Sequence, residues 1–390
     1  MKIALLSEKY TPDIGGLAIS AGRLGDLLSA AGHDVRLISP TSSLPPSIKQ
    51  TQRSNGVYIT RFGAHKRVED TLVDWFELIL EEHKRGPFDA IHAYFLPMAG
   101  FIGAYAGKYL DVPSVVSIRG NDIERAAFDP SKFSHVMYAL QHASAVTTNA
   151  SVLAKKAKAF IDREIHVIPN GIDTERFKPM ERNDALAEAI GLNERKPKEE
   201  RNLESGKRNV VGFVGELREK KGMTALLNGF AQAAMKQPVS LLIAGEVREG
   251  EDKKTFDEFQ ASNPRLSITV TGQVSHKDLP AYYSLLDVFV HPSLRDGMPN
   301  ALLEAMACEI PVITTPVGGA LDVIQDGKNG IFVNVNDPEM LAGKIIELQQ
   351  DPDHRAGLGR RARESILERF TPENELEANL SVYRSLGLQT

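Results

Sequence analysis

A single cysteine, Cys308, stands among 390 residues, so the chain closes no internal disulfide and builds no thiolate metal cluster. Nothing points to an oxidising compartment, and the expected location is cytoplasmic. Long apolar runs are missing too: none approaches the roughly 20 residues a bilayer-spanning helix needs. The opening Met1-Lys2-Ile3-Ala4-Leu5-Leu6 meets Glu8 and Lys9 too soon for a signal-peptide core and reads as a strand. An excess of positive charge is missing as well. The 46 Lys and Arg against 51 Asp and Glu leave a net charge of −5, which excludes phosphate-driven nucleic-acid binding from the expected activities. GxxxxGK[ST], HExxH and GxSxG do not occur, which argues against a P-loop NTPase, a zincin and an α/β-hydrolase. Gly357-x-Gly359-x-x-Ala362 matches a dinucleotide fingerprint in letters alone, because it lies in an Arg-rich helical stretch with no strand before it.

What is present is ordinary globular material. Hydrophobic residues make up 42% and charged residues 25% of a length that suits two domains, each with its own core. Short β-branched runs alternate with helical stretches from end to end, the pattern of parallel sheets with crossover helices. Strands are expected from Lys2, Asp34, Gly56, Phe88, Ser114, Ala145 and His166, and the rhythm restarts at Asn209. Between the halves, Glu181–Arg208 is dense in charge with little apolar periodicity, as a solvated linker would be. The expected organisation is therefore residues 1–180, a linker over 181–208, a second domain over 209–364, and a helical tail over 365–390.

Three loops carry chemistry. Tyr10-Thr11-Pro12-Asp13-Ile14-Gly15-Gly16 follows the first strand and opens an amphipathic helix, so Gly15 and Gly16 let backbone approach an anion or an acceptor; a plain strand-to-helix turn is the alternative. Gly215-Glu216-Leu217-Arg218-Glu219-Lys220-Lys221-Gly222 repeats the arrangement in the second half. There Arg218 and Lys221 suit a diphosphate, unless they merely solubilise a loop alongside Glu216 and Glu219. The most specific is Pro292-Ser293-Leu294-Arg295-Asp296-Gly297-Met298-Pro299-Asn300-Ala301-Leu302-Leu303-Glu304. Asn300 is expected to cap a helix whose first amides hold phosphate, with Asp296 accepting from sugar hydroxyls and Glu304, about one turn on, from a ribose. Read plainly, Asp296 forms a turn and Glu304 is an exposed helix acid.

Asp296-x7-Glu304 followed by Ala-Met-Ala resembles the signature of family-4 GT-B glycosyltransferases. Further landmarks occur in the family's order: Gly15-Gly16, Gly32-His33-Asp34-Val35, Ile168-Pro169-Asn170-Gly171-Ile172-Asp173, Lys221-Gly222 and Thr315-Pro316-Val317-Gly318-Gly319. The resemblance spans nearly the whole chain. It implies an α/β fold of two Rossmann-like, doubly wound domains facing a cleft, with the acceptor on the N-terminal side, the nucleotide sugar on the C-terminal side, and a terminal helix, supplied by Ser365–Leu386, crossing back to the first domain. By position, Lys221 would meet the diphosphate, the Ala301 and Leu302 amides a phosphate, Asp296 the donor sugar, Glu304 the ribose and Val274 the base, with Gly297, Met298 and Asn300 lining the same loop.

The implied reaction is retaining, metal-independent transfer of a hexosyl unit from a UDP, GDP or ADP sugar to a hydroxyl acceptor: a glycan, a lipid-linked sugar or a small metabolite. No further cofactor is implied. No Asp-x-Asp triplet of the kind metal-dependent transferases use follows a strand. A slight basic excess in the first half is compatible with peripheral contact at the inner membrane face. Four positions depart from the family pattern: Asp296 stands where Glu is common, Pro299 where Gly is usual, Glu216 where a phosphate arginine aligns, and Arg119, in Arg119-Gly120-Asn121-Asp122, where many members carry histidine near the reacting sugar. Asp296, Arg119 and Lys221 are the expected catalytic set. A non-hydrolysing sugar-nucleotide epimerase and a non-catalytic nucleotide-sugar-binding subunit are the competing readings.

Overall fold

The computed structural model describes residues 1–13, 15–192 and 209–390, so Ile14 and most of the expected linker lie outside the described residues. The chain divides into two units, one formed by Met1–Gly171 with Pro372–Thr390 and the other by Ile172–Thr371.

Among the described residues, the first unit holds an eight-stranded sheet in the order β3-β4-β2-β1-β5-β6-β7-β8. Its strands are β1 (Lys2–Ser7), β2 (Asp34–Pro46), β3 (Lys49–Ser54), β4 (Val57–Gly63), β5 (Ala90–Tyr94), β6 (Ser114–Ile118), β7 (Ala145–Thr148) and β8 (His166–Val167). All neighbours run parallel except β3, which pairs antiparallel with β4. Parallel strands covered by helices on both faces must be apolar throughout, and Ile3, Ala4, Leu5 and Leu6 are fully buried. β3 escaped the sequence reading because Lys49-Gln50-Thr51-Gln52-Arg53-Ser54 is polar and exposed along its length, which suits an edge strand that must not recruit another sheet.

The second unit carries six parallel strands in the order β11-β10-β9-β12-β13-β14. These are β9 (Asn209–Val214), β10 (Val239–Ala244), β11 (Ser267–Val270), β12 (Val288–His291), β13 (Val312–Thr314) and β14 (Ile331–Phe332). Side chains alternate between two cores: Val211, Phe213, Leu241 and Ile243 on one face, and Val214, Phe289, Leu302 and Met306 on the other. Each such large side chain contributes about 1.5–3 kcal/mol on burial. Both sheets reverse direction beside their first strand, between β1 and β5 and between β9 and β12, and the crevice at the carboxyl ends of such strands is where open α/β sheets bind ligands.

The returning element is the helix Pro372–Ser385, while residues 365–369 belong to the preceding helix, Pro352–Arg369. Three contacts fasten it within the first unit. Arg23 donates to both oxygens of Glu375 at 2.5 and 3.2 Å, the Gly171 amide donates to Glu375 at 2.9 Å, and the Tyr383 hydroxyl lies 2.7 Å from His92 Nδ1. His92 passes the chain on to Ser117 and Thr147, and burial, aided by Arg119, pushes its pKa down to about 3, so it works as a neutral link. Among the described residues no helix is long and apolar enough to cross a membrane.

Candidate active site

The loop from Pro292 to Pro299 is built by close approach to two glycines. Gly222 (φ +77°) lies so near Pro292 that a Cβ would fall 1.9 Å from its carbonyl oxygen. Gly318 (φ +57°) packs on Asp296, where a Cβ would fall 2.0 Å from the carbonyl oxygen. Thr314 and Thr315 hydroxyls donate to the carbonyls of His291 and Ser293 at 2.9 and 2.5 Å, and the Gly319 amide donates to the Gly297 carbonyl at 2.5 Å. Lys221-Gly222 and Thr315-Pro316-Val317-Gly318-Gly319 thus clamp the Asp296 loop from two sides.

Within that clamp three titratable groups meet. Lys221 Nζ pairs with Asp296 Oδ2, and His291 Nε2 lies 3.1 Å from the same oxygen. Oδ1 accepts the Gly297 amide at 2.9 Å. Burial opposes ionisation of Asp296, but Lys221 and the His291 hydrogen bond outweigh it and hold the carboxyl well below the usual range. Burial likewise keeps His291 neutral, with Lys221 acting in the same direction against the pull of Asp296. His291 therefore donates from Nε2, and its buried Nδ1 has no partner among the described residues. Lys221 has three N–H donors, so the pair with Asp296 leaves two for a ligand.

Glu304 is buried, 3% exposed, so it is not an exposed helix acid. The Tyr283 hydroxyl donates to its Oε2 at 2.9 Å and His276 Nε2 lies 2.9 Å from Oε1. Burial first, and then the Glu304 charge, lift the Tyr283 phenol far above its ordinary pKa, so it remains a donor. The helix Asn300–Ala307 starts at Asn300, but Pro299, not Asn300, occupies the cap position and offers no side-chain hydrogen bond, because its ring carries no polar group. The Leu302 amide already donates to the Pro299 carbonyl at 3.1 Å, while Ala301 is half-buried at the same helix start. Met298 is buried, and Val274 packs half-buried against the Leu302 and Tyr283 cluster. Arg218 pairs with Glu216 at 3.1 Å, and its buried Nε has no partner among the described residues. Sequence reasoning passed over His276, Tyr283 and His291. The last could have been found as a titratable residue ending an apolar strand beside a motif.

Gly15, Gly16 and Arg119 lie in the first unit, apart in chain and sheet from the rest of the set. Gly15 (φ +131°) caps the helix Gly16–Ala30, and a Cβ on either glycine would meet nothing within 4 Å. Arg119 ends β6. Its guanidinium lies 3.8 Å from the centre of the Tyr94 ring and donates to Asn170 Oδ1 at 3.1 Å. Asp122 shapes that turn by accepting the amides of Arg119, Gly120 and Ile123, and burial still raises its pKa to about 6. Glu8, just past β1, accepts the amides of Met98 and Ala99 at 2.9 and 3.4 Å and is pushed up by burial to about 7. Among the described residues, no group of three or more His, Cys, Asp or Glu is placed to hold a metal ion.

Comparison with known proteins gives the family and the fold. A family described as Glycosyl transferases group 1 matches residues 194–365, and Glycosyltransferase Family 4 matches residues 14–176. An uncharacterized glycosyltransferase of Methanocaldococcus jannaschii is 27% identical over 98% of this chain and 98% of its own length. A GDP-mannose-dependent alpha-mannosyltransferase of Mycolicibacterium smegmatis is 27% identical over 95% of this chain and 94% of its own. Sucrose-phosphate synthase from Thermosynechococcus elongatus superposes with a TM-score of 0.82 at 22% identity, covering 99% of this chain and 98% of that one, and shares the fold.

Proposed function

We propose, from the premise that this chain belongs to the family-4 glycosyltransferases of GT-B fold, that it moves a hexosyl unit from a nucleotide diphosphate sugar to a hydroxyl acceptor with retention of anomeric configuration. The observation that carries this reading is the Lys221–Asp296–His291 cluster at the switch point of the second sheet, followed one turn into the next helix by buried Glu304. The leaving group is a nucleoside diphosphate, so the catalytic task is to stabilise negative charge that grows as the bond to the sugar breaks. Lys221 has two uncommitted donors for it, and the helix Asn300–Ala307 adds the positive end of its dipole. This cation and this dipole support turnover without a metal ion. The departing phosphate oxygen takes the acceptor's proton. Asp296 keeps lone pairs for the sugar's hydroxyls and acts as a positioning group, while Glu304 receives the ribose.

The donor is a UDP, GDP or ADP sugar; a relative named for GDP-mannose supports the class. The acceptor is a glycan, a lipid-linked sugar or a small metabolite, and in the lipid-linked case the protein works peripherally at the inner membrane face. The test is proton NMR of the product as it forms from an α-configured donor in chelator. The α-anomer appearing first supports the reading, and the β-anomer appearing first rejects retention.

A further inference from the structure

Arg119 is a partly buried cation without an anion. Its side chain donates to the neutral Asn170 amide and lies against the Tyr94 ring and hydroxyl, and its Nε is buried with no partner among the described residues. The carboxylates nearby are already committed. Asp122 is consumed by backbone amides, and Glu375 by Arg23 and the Gly171 amide. Two further buried polar atoms in the first unit lack a hydrogen bond of ordinary geometry: the hydroxyl of Tyr94, whose ring lies under the guanidinium, and Asn149 Oδ1. The last paired residues of the two strands are Ile118 and Thr148, so Arg119 and Asn149 are the residues that leave adjoining parallel strands at the sheet's carboxyl edge. A half-buried guanidinium is costly unless paired, and its planar fork matches a carboxylate or a phosphate.

Resting on the transferase reading, we propose that Arg119 binds an oxyanion, a carboxylate or phosphate carried by one of the two substrates, and so selects a charged substrate over its neutral analogue. The charge sits either on the acceptor or on the transferred sugar. Tyr94 pre-orients the guanidinium from below by its ring face, and Asn170 fixes the remaining edge. Asn149 and the Tyr94 hydroxyl then serve the polar groups next to the anion. The position thus sets specificity, and a charge-assisted pair of this kind is worth roughly 10- to 100-fold in affinity.

The experiment is calorimetric titration of the full-length wild type and of Arg119→Gln with matched probes. Glucose 6-phosphate and glucuronate are each compared with glucose, and UDP-glucuronate with UDP-glucose, while UDP, GDP and ADP are titrated alone. The expected result is a charged probe binding at least tenfold tighter than its neutral counterpart in wild type, with that preference lost in Arg119→Gln and Arg119→Lys restoring part of it. Preference among the free sugars assigns the anion to the acceptor, and preference between the UDP sugars assigns it to the donor's sugar. Charged probes binding no better than neutral ones overturn the proposal. So does an Arg119→Gln variant that loses affinity for the bare nucleotide diphosphate, since the guanidinium then pairs with the diphosphate. Failure of all three nucleotides to bind wild type would strike the transferase reading itself and leave the free-sugar comparison able to decide the role of Arg119.

Discussion

Replacing Lys221 with methionine tests the electrostatics of the second unit most sharply. The variant keeps the aliphatic stem but leaves Asp296 with His291 and the Gly297 amide as its only partners among the described residues. Removing one partner of a buried ion pair costs about 3–5 kcal/mol, and with side-chain exposures of 23% and 17% the lower figure applies, about 3 kcal/mol. For a unit of about 200 residues that is a fall of roughly 6–12 °C in its melting transition. The pH dependence has a definite sign. The folded Asp296 carboxyl lies below its unfolded value, so its contribution is present above pH about 4 and is lost only as pH falls through the depressed value. In the variant that carboxyl rises, and His291, no longer held down by Lys221, gains a proton more readily and can pair with it. The deficit should therefore be larger at pH 8 than at pH 5.5. Adding Asp296→Asn should recover much of the loss, because the uncompensated charge is gone. Scanning calorimetry of wild type, Lys221→Met and the double variant at both pH values decides it. A Lys221→Met transition within 2 °C of wild type at pH 8 would refute the reasoning.

Glu304→Ala should weaken nucleotide diphosphate binding at least roughly tenfold in calorimetry while the protein stays folded; unchanged affinity would remove the ribose from this carboxylate. Glu8→Gln should raise the melting temperature at pH 8 relative to pH 5. Burial holds the folded carboxyl near 7, so in wild type a penalty grows as pH climbs from its unfolded value through 7, and the neutral amide avoids it. An equal shift at both pH values would contradict this. Cys308, buried with its thiol pushed up to about 12, should resist maleimide at pH 7.5 in the native protein and react at once in denaturant, as mass spectrometry would show.

Both sheets were legible because parallel strands buried on two faces leave continuous apolar runs such as Ile3–Leu6, with glycines marking where backbone closes on backbone. The polar edge strand Lys49–Ser54 left no such trace, since solvent tolerates its composition. The loop around Asp296 was readable from spacing, but the partners that give it meaning were not. His291 joins Asp296 through a turn, and Tyr283 and His276 reach Glu304 from 21 and 28 residues away. Arg218 read as a phosphate cation, yet folding turns it toward Glu216. The isolation of Arg119 depends on which neighbours have spent their carboxylates, and that is settled in three dimensions.

On the proposed function, the second unit binds the nucleotide diphosphate of a sugar donor. Calorimetric titration of the purified protein, in chelator, with UDP, GDP and ADP tests it without an acceptor. One of the three should bind without metal, with Lys221→Met weakening it by roughly 10- to 100-fold. A folded protein that binds none of them would rule out a nucleotide diphosphate site in the second unit.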